Sequence, residues 1–238
     1  MSHTSMRSAQ IPVTDPSAGL RLTEIFYSLQ GEANDSGWPT VFVRLTGCPL
    51  RCVYCDTTYS FDGGERHSLA DILATVQGYG VRHVCVTGGE PLAQPNCVPL
   101  LRMLCDAGLT VSLETSGALD VSAVDARVSR IVDLKTPSSG EQSKNLLGNL
   151  AHLTAHDQIK FVIMNRLDYE WSREMLQTHR LDQLVSTVWF SPAFSIEKHQ
   201  IRLPALARDM ADWIVADRLP VRFQLQLHKL LWQDEAGR

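Results

Sequence analysis

Apolar and polar positions along this chain switch repeatedly between period two and the helical period. Alternation predicts strands over 21–29 (RLTEIFYSL) and 40–47 (TVFVRLTG). The stretch 68–80 (SLADILATVQGYG) has helical spacing, with Ser68 placed as N-cap and Gly78 near its end. A strand over 83–91 ends in glycines, and a helix over 97–108 is closed by Gly108. Further strands are predicted over 110–117, over 130–137 with Pro137 as its stop, over 158–165 and over 186–193. Helices are expected over 168–179 and 204–216, and a last strand over 221–232.

Strand–helix repetition implies parallel strands joined by right-handed crossovers. Six or seven units are too few to close an eight-fold barrel, which takes roughly 250 residues. The expected fold is therefore α/β, an open partial (β/α) barrel of about six parallel strands, in preference to a doubly wound sheet. Residues 21–238 read as a single domain, and 1–20, rich in Ser, Thr and Pro, as a disordered lead. Chemistry in such folds gathers at the C-terminal strand ends. The unusual segments fall there: the cysteine loop after 40–47, then TGGEP, ETSG, DLKTP, SPAF and QLHK.

Composition narrows the function classes. A net charge of -4 gives no sign of a nucleic-acid or anionic-membrane partner. No apolar run approaches the roughly 20 residues of a membrane span. The first residues lack the apolar core of a secretory signal, so the cytoplasm is the expected location. Thiols stay mostly reduced there, which favours metal or redox chemistry over disulfides.

Three of the six cysteines, Cys48, Cys52 and Cys55, fall in GCPLRCVYCDT. Four readings compete: buried structural thiols, disulfides, a zinc site completed by His67, and an iron–sulfur cluster held by three thiolates. Disulfides suit neither the compartment nor an odd count, and zinc closes with four ligands. Three thiolates would leave one iron of a [4Fe-4S] cluster open to a further ligand. Cys85, Cys97 and Cys105 lie in strand and helix patterns and read as buried thiols, not a second cluster.

The Cys-x3-Cys-x2-Cys spacing after a strand, with VTGGEP (86–91) one unit later, resembles the radical S-adenosylmethionine superfamily. That resemblance implies that Cys48, Cys52 and Cys55 hold the cluster and that S-adenosylmethionine chelates the fourth iron. Reductive cleavage would then release a 5′-deoxyadenosyl radical. The segments EIFYSLQGE (24–32), RLTGCPLRCVYCDT (44–57), TGGEPL (87–92), ETSG (114–117), DLKTPSSGE (133–141), SPAF (191–194) and QLQLHKLLW (224–232) together resemble the 7-carboxy-7-deazaguanine synthase family. The activity so implied takes 6-carboxy-5,6,7,8-tetrahydropterin, contracts its ring with loss of ammonia, and uses Mg²⁺. A glycyl-radical activase, another small radical enzyme and a zinc-stabilised binding module are the alternatives.

The same resemblance implies residue roles. Thr57 would give its hydroxyl to Mg²⁺; from the residues alone it could equally cap the following helix. Leu29, Gln30, Gly31 and Glu32 would line the pterin pocket, with Thr87 and His228. Arg44 would pair with a carboxylate; without the resemblance it reads as a surface salt bridge, and His228 as a core histidine. Tyr54 would lie beside the adenine. Gly89, Glu90, Glu114, Ser116, Asp133, Leu134, Lys135, Ser191, Pro192, Ala193 and Phe194 would surround S-adenosylmethionine. A homodimer and a flavodoxin or ferredoxin electron donor are also implied. Two positions depart from the family pattern: Ala33 and Ser138 stand where glycine is expected.

Overall fold

The computed structural model describes residues 18–193, 205–233, 235 and 237. Most of the expected lead and all of Phe194 therefore lie outside the described residues. The described chain forms a nine-stranded sheet in the order β3-β1-β2-β4-β5-β6-β7-β8-β9. Its strands are β1 (Gly19–Leu29), β2 (Pro39–Leu45), β3 (Glu65–Ser68), β4 (His83–Gly88), β5 (Thr110–Thr115), β6 (Ser129–Asp133), β7 (Gln158–Ile163), β8 (Thr187–Pro192) and β9 (Arg222–Phe223). From β2 through β9 all pairings are parallel. The sheet does not close on itself, so the expected open α/β barrel is the architecture.

Two features differ from the expected strand–helix repeat. β1 runs antiparallel to both β2 and β3, a short strand that the sequence reading missed. Between β5 and β6 there is no helix, and between β6 and β7 there are only 3-10 turns. The helices are α1 (Leu69–Gly78), α2 (Cys97–Asp106), α3 (Arg166–His179), α4 (Leu181–Leu184), α5 (Ala205–Asp217) and α6 (Leu227–Trp232). As expected, Ser68 caps α1, its hydroxyl accepting from Asp71 N at 3.1 Å. Asn165 does the same for α3 through Asp168 N.

The expected strand over 221–232 is corrected. Pairing with β8 stops at Phe223, and Leu227–Trp232 is helical. Alternation in VRFQLQL favours a strand locally, but this is a sheet edge, with no further ladder to join among the described residues. The backbone instead turns toward loop 30–38, where Leu227 N donates to Gly31 O at 3.0 Å.

Period two along the parallel strands separates two surfaces. The outer surface is apolar: Val41, Val43, Val84, Val86, Leu113, Val132, Ile159 and Phe161 pack in one core with Leu69, Ile72 and Val76 of α1 and Leu100, Leu101 and Leu104 of α2. Full burial of each such side chain stabilises by roughly 1.5–3 kcal/mol. Cys85, Cys97 and Cys105 are buried, as expected. The inner surface carries Arg44, Thr87, Glu114, Asp133, Lys160 and Ser191 around a cavity.

The loop 30–38 closes the bottom of that cavity. It leaves β1, crosses beneath the sheet and reaches the N-terminal ends of β7 and β8. There Asn34 N donates to Gln158 Oε1 at 2.9 Å, and Thr187 Oγ1 donates to Asn34 Oδ1 at 3.0 Å. Ala33 N donates to Gln224 Oε1 at 2.6 Å, tying the same loop to the segment after β9.

Candidate functional site

The cavity, of about 230 Å³, is far larger than a single ion and extends from the cysteine loop down to the floor. Cys48, Cys52 and Cys55 all line it and are half-buried. Backbone contacts shape their loop: Cys55 N donates to Cys52 O at 3.1 Å, and Leu50 N to Cys48 Sγ at 3.4 Å. Among the described residues, no three His, Cys, Asp or Glu side chains converge on a single-ion centre. A four-iron cube, by contrast, spreads three thiolates over separate irons. His67, considered as a fourth zinc ligand, lies on β3 outside this cavity. Burial pushes the Cys52 thiol up to about 11, so iron must displace a proton there.

The glycines after β4 have a close-approach role. A Cβ on Gly89 would collide with Gly47 O and come within 2.7 Å of Cys48 Cβ. A Cβ on Gly88, whose φ is +149°, would come within 2.7 Å of Leu45 N. Their absence lets Glu90 N donate to Gly47 O at 2.8 Å, stitching the cysteine loop to the end of β4. Glu90 itself is fully buried and lies outside the cavity lining. Its carboxylate accepts from Thr115 Oγ1, Ser116 N, Ser116 Oγ and Leu92 N. Glu90 therefore pins β5 to β4 and presents Ser116, which does line the cavity.

The wall beyond is built by β6 and β8. Asp133 Oδ2 meets Lys135 Nζ at 3.0 Å and Lys160 Nζ at 3.7 Å. Among the described residues, Asp133 Oδ1 is buried with no hydrogen-bond partner, as is the hydroxyl of Tyr54. Lys135 Nζ lies 5.8 Å from the centre of the Tyr54 ring. Leu134, placed with the cofactor set by resemblance, turns its side chain into the apolar core. Ser191, Pro192 and Ala193 line the cavity at the end of β8.

The floor carries Leu29, Gln30 and Glu32. Glu32 Oε2 accepts from Lys160 at 2.7 Å and Glu32 Oε1 from Gln226 Nε2 at 2.6 Å. Burial raises the Glu32 carboxyl, but Lys160 and then His228 outweigh it and hold it at about 2. Among the described residues, Glu114 has no such close cation. Burial and the charge of Glu32 push it above the usual carboxylate value, while it accepts from Thr87 Oγ1 at 3.1 Å and Gln30 Nε2 at 3.4 Å. His228 lines the cavity from α6, not from a strand. Burial lowers its pKa against the pull of Glu32. Gly31 stays outside the lining but makes room for this ring: a Cβ there would overlap Nδ1 and sit 2.9 Å from Cγ.

Arg44 is no surface residue; its side chain is 14% exposed and lines the cavity. Its Nε donates to Glu24 Oε1 at 2.7 Å, and the same oxygen accepts from Tyr59 at 3.0 Å. Thr57 stands at the N-cap of a 3-10 turn, yet its hydroxyl makes no capping bond. That hydroxyl lies 3.8 Å from Cys55 Sγ, on the cavity side of the loop.

Sequence reasoning missed Lys160, Gln226 and the Asp56–Lys229 ion pair, 2.6 Å long, that joins the cysteine loop to α6. A lysine inside the apolar run QIKFVI was an available signal, since a buried charge demands a partner. Gln226, Lys229 and Asp56 lie inside segments the sequence singles out, but nothing local marked their partners. The departures from the expected glycines are accommodated. Ala33 takes φ +64°, at a cost of about 1 kcal/mol, roughly offset by burying its methyl. Ser138 N donates to Asp168 Oδ1 at 2.9 Å and its hydroxyl accepts from Asn165, so it braces the start of α3.

A half-buried three-thiol loop, a wall acid with one oxygen left open among the described residues and a glycine-shaped strand end fit a [4Fe-4S] cluster with S-adenosylmethionine. Residues 42–138 match the Radical SAM superfamily. Relatives extend the match to nearly the whole chain. A 7-carboxy-7-deazaguanine synthase of Koribacter versatilis is 44% identical over 91% of this chain and 98% of its own. One from Chlorobaculum tepidum is 40% identical over 92% and 97%. The crystal structure of QueE from Escherichia coli superposes with a TM-score of 0.71, at 26% identity, over 88% of this chain and 95% of that one. The chain belongs to the 7-carboxy-7-deazaguanine synthase family within the radical SAM superfamily.

Proposed function

We propose that this chain contracts 6-carboxy-5,6,7,8-tetrahydropterin to 7-carboxy-7-deazaguanine with loss of ammonia. One observation carries the reading. The cysteine loop at the top of the barrel and the Gln30–Glu32 floor at its bottom face a single cavity. The family membership of relatives that match end to end supports it.

Cys48, Cys52 and Cys55 would hold a [4Fe-4S] cluster, which together with S-adenosylmethionine would supply the radical chemistry for hydrogen abstraction. The chain's own residues bind and orient. Glu32 is a fixed acceptor for the amino and ring N–H donors of the pterin, and Gln30 can serve either edge. Arg44, steered by Glu24 and Tyr59, offers its remaining guanidinium N–H groups to the substrate carboxylate. Glu114, between Thr87 and Gln30, can accept from a substrate donor on the cavity side. Asp133 Oδ1 suits a ribose hydroxyl, and Tyr54 the adenine face. Thr57, with its hydroxyl free of capping duty, would offer an oxygen to Mg²⁺, a cation that takes oxygen ligands. The protein works as a cytoplasmic homodimer reduced by a flavodoxin or ferredoxin.

The test incubates anaerobically reconstituted, reduced protein with S-adenosylmethionine and the carboxytetrahydropterin, with and without Mg²⁺. Formation of the deazapurine, faster with Mg²⁺, is expected. Cofactor cleavage with no deazapurine would refute the substrate assignment. Thr57→Ala should keep cluster and cofactor cleavage but lose the Mg²⁺ stimulation; full activity in that variant would refute the Mg²⁺ role.

A further inference from the structure

Lys160 belongs to none of the sequence motifs, yet it sits where the two halves of the cavity meet. It lies mid-strand on β7, in register with Asp133 of β6 and Trp189 of β8. Its side chain is 13% exposed and faces the cavity. The outer face of β7 is anchored without it, because Ile159, Phe161 and Ile163 are fully buried in the core. A buried ammonium is costly to desolvate unless it is well paired, so packing alone does not account for a lysine here.

Its partners come from different parts of the fold. Glu32 Oε2, 2.7 Å away, belongs to the floor, and Asp133 Oδ2, 3.7 Å away, to the wall. On Asp133, Lys160 and Lys135 both approach Oδ2, which leaves Oδ1 without a partner among the described residues. On Glu32, the cation holds one oxygen while Gln226 holds the other. Each carboxylate thus has a fixed orientation before any ligand arrives, which reduces the ordering cost of binding.

We infer that Lys160 is a positioning residue shared by both halves of the cavity: one ammonium sets Glu32 for the pterin and Asp133 for the sulfonium cofactor. This rests on the pterin reading given above. Lys160 acts on the pterin through Glu32, so removing either member of that pair removes the same contribution.

The test is a double-mutant cycle on cluster-reconstituted protein, with Glu32→Gln, Lys160→Met and the double variant. Calorimetry measures binding of the carboxytetrahydropterin and, separately, of S-adenosylmethionine. Each single variant should weaken the pterin at least ~10-fold, as breaking a buried pair does. The double variant should stay within ~3-fold of the weaker single, because contributions through one path do not add. Lys160→Met, but not Glu32→Gln, should also weaken S-adenosylmethionine by ~3-fold or more, and Lys160→Arg should restore both ligands. Fully additive pterin losses, or a Lys160→Met variant that binds both ligands like wild type, would overturn the inference alone. A wild type that takes up no pterin would overturn the substrate reading and this inference with it. If Lys160→Met does not fold, the double variant is compared with Glu32→Gln. Weaker S-adenosylmethionine with unchanged pterin upholds the inference, and unchanged S-adenosylmethionine overturns it.

Discussion

Gly89→Ala tests the idea that the glycine pair exists to seat the cysteine loop. The added Cβ would stand 2.7 Å from Cys48 Cβ and closer still to Gly47 O. Carbon atoms rest at about 3.5–4.0 Å, so the loop must retreat by about 1 Å. Overpacking of this kind costs ~1–3 kcal/mol. The retreat also breaks the 2.8 Å bond from Glu90 N to Gly47 O, worth about 1 kcal/mol. Together these give ~2–4 kcal/mol, a fall in Tm of ~4–16 °C for a chain of this size. A displaced Cys48 should also weaken cluster binding, by the ~10–100-fold typical when a ligand loses its support. The assay is iron and sulfide per chain after anaerobic reconstitution at limiting iron, beside a thermal melt. Gly148→Ala is the control, since a Cβ there meets nothing within 4 Å. Full iron occupancy with an unchanged melt in Gly89→Ala would refute the reasoning.

Other outcomes follow from the same geometry. Cys52→Ala should abolish the cluster and all turnover while the chain stays folded, seen as loss of iron and brown colour with an unchanged circular dichroism spectrum. Gly31→Ala should push the His228 ring out of its seat and weaken pterin binding while leaving S-adenosylmethionine binding intact, which calorimetry separates. Asp157→Asn should destabilise the fold by ~3 kcal/mol at pH 7, because it breaks the buried pair with Arg130, 2.6 Å apart, that ties β6 to β7. Burial raises the Asp157 carboxyl, but hydrogen bonds from Arg130 and Thr154 N hold it below its usual value. A depressed carboxylate stabilises the fold above its unfolded pKa, about 4, and that contribution vanishes as pH falls through the folded value. The gap between wild type and Asp157→Asn in denaturant melts should therefore narrow below pH ~4; a constant gap would contradict the assignment.

Much of the fold was legible because local periodicity reports which face of an element is buried. Val84, Val86, Leu113 and Val132 read as strand interiors, and Ser68 marks the start of its own helix. The cysteine loop was legible because its spacing is itself the chemistry. The function of Gly89 was half legible: its sequence context marks a close approach, but only the fold shows that the approaching backbone is Gly47–Cys48. Glu90 and Leu134 sit inside the right segments, yet one side chain is buried beneath Thr115 and Ser116 and the other faces the core. A motif places a stretch of backbone and does not say which way each side chain turns.

The sequence by itself determined the parallel strand units, the apolar outer face and a three-thiol loop at a strand end, since each depends on residues close together along the chain. Tertiary structure alone decided that β1 runs antiparallel, that α6 replaces the end of a predicted strand, and that Lys160 joins Glu32 to Asp133. The last of these depends on loop 30–38 reaching the N-terminal ends of β7 and β8, which sets a buried cation between two acids. No local period encodes a distance between residues more than a hundred positions apart.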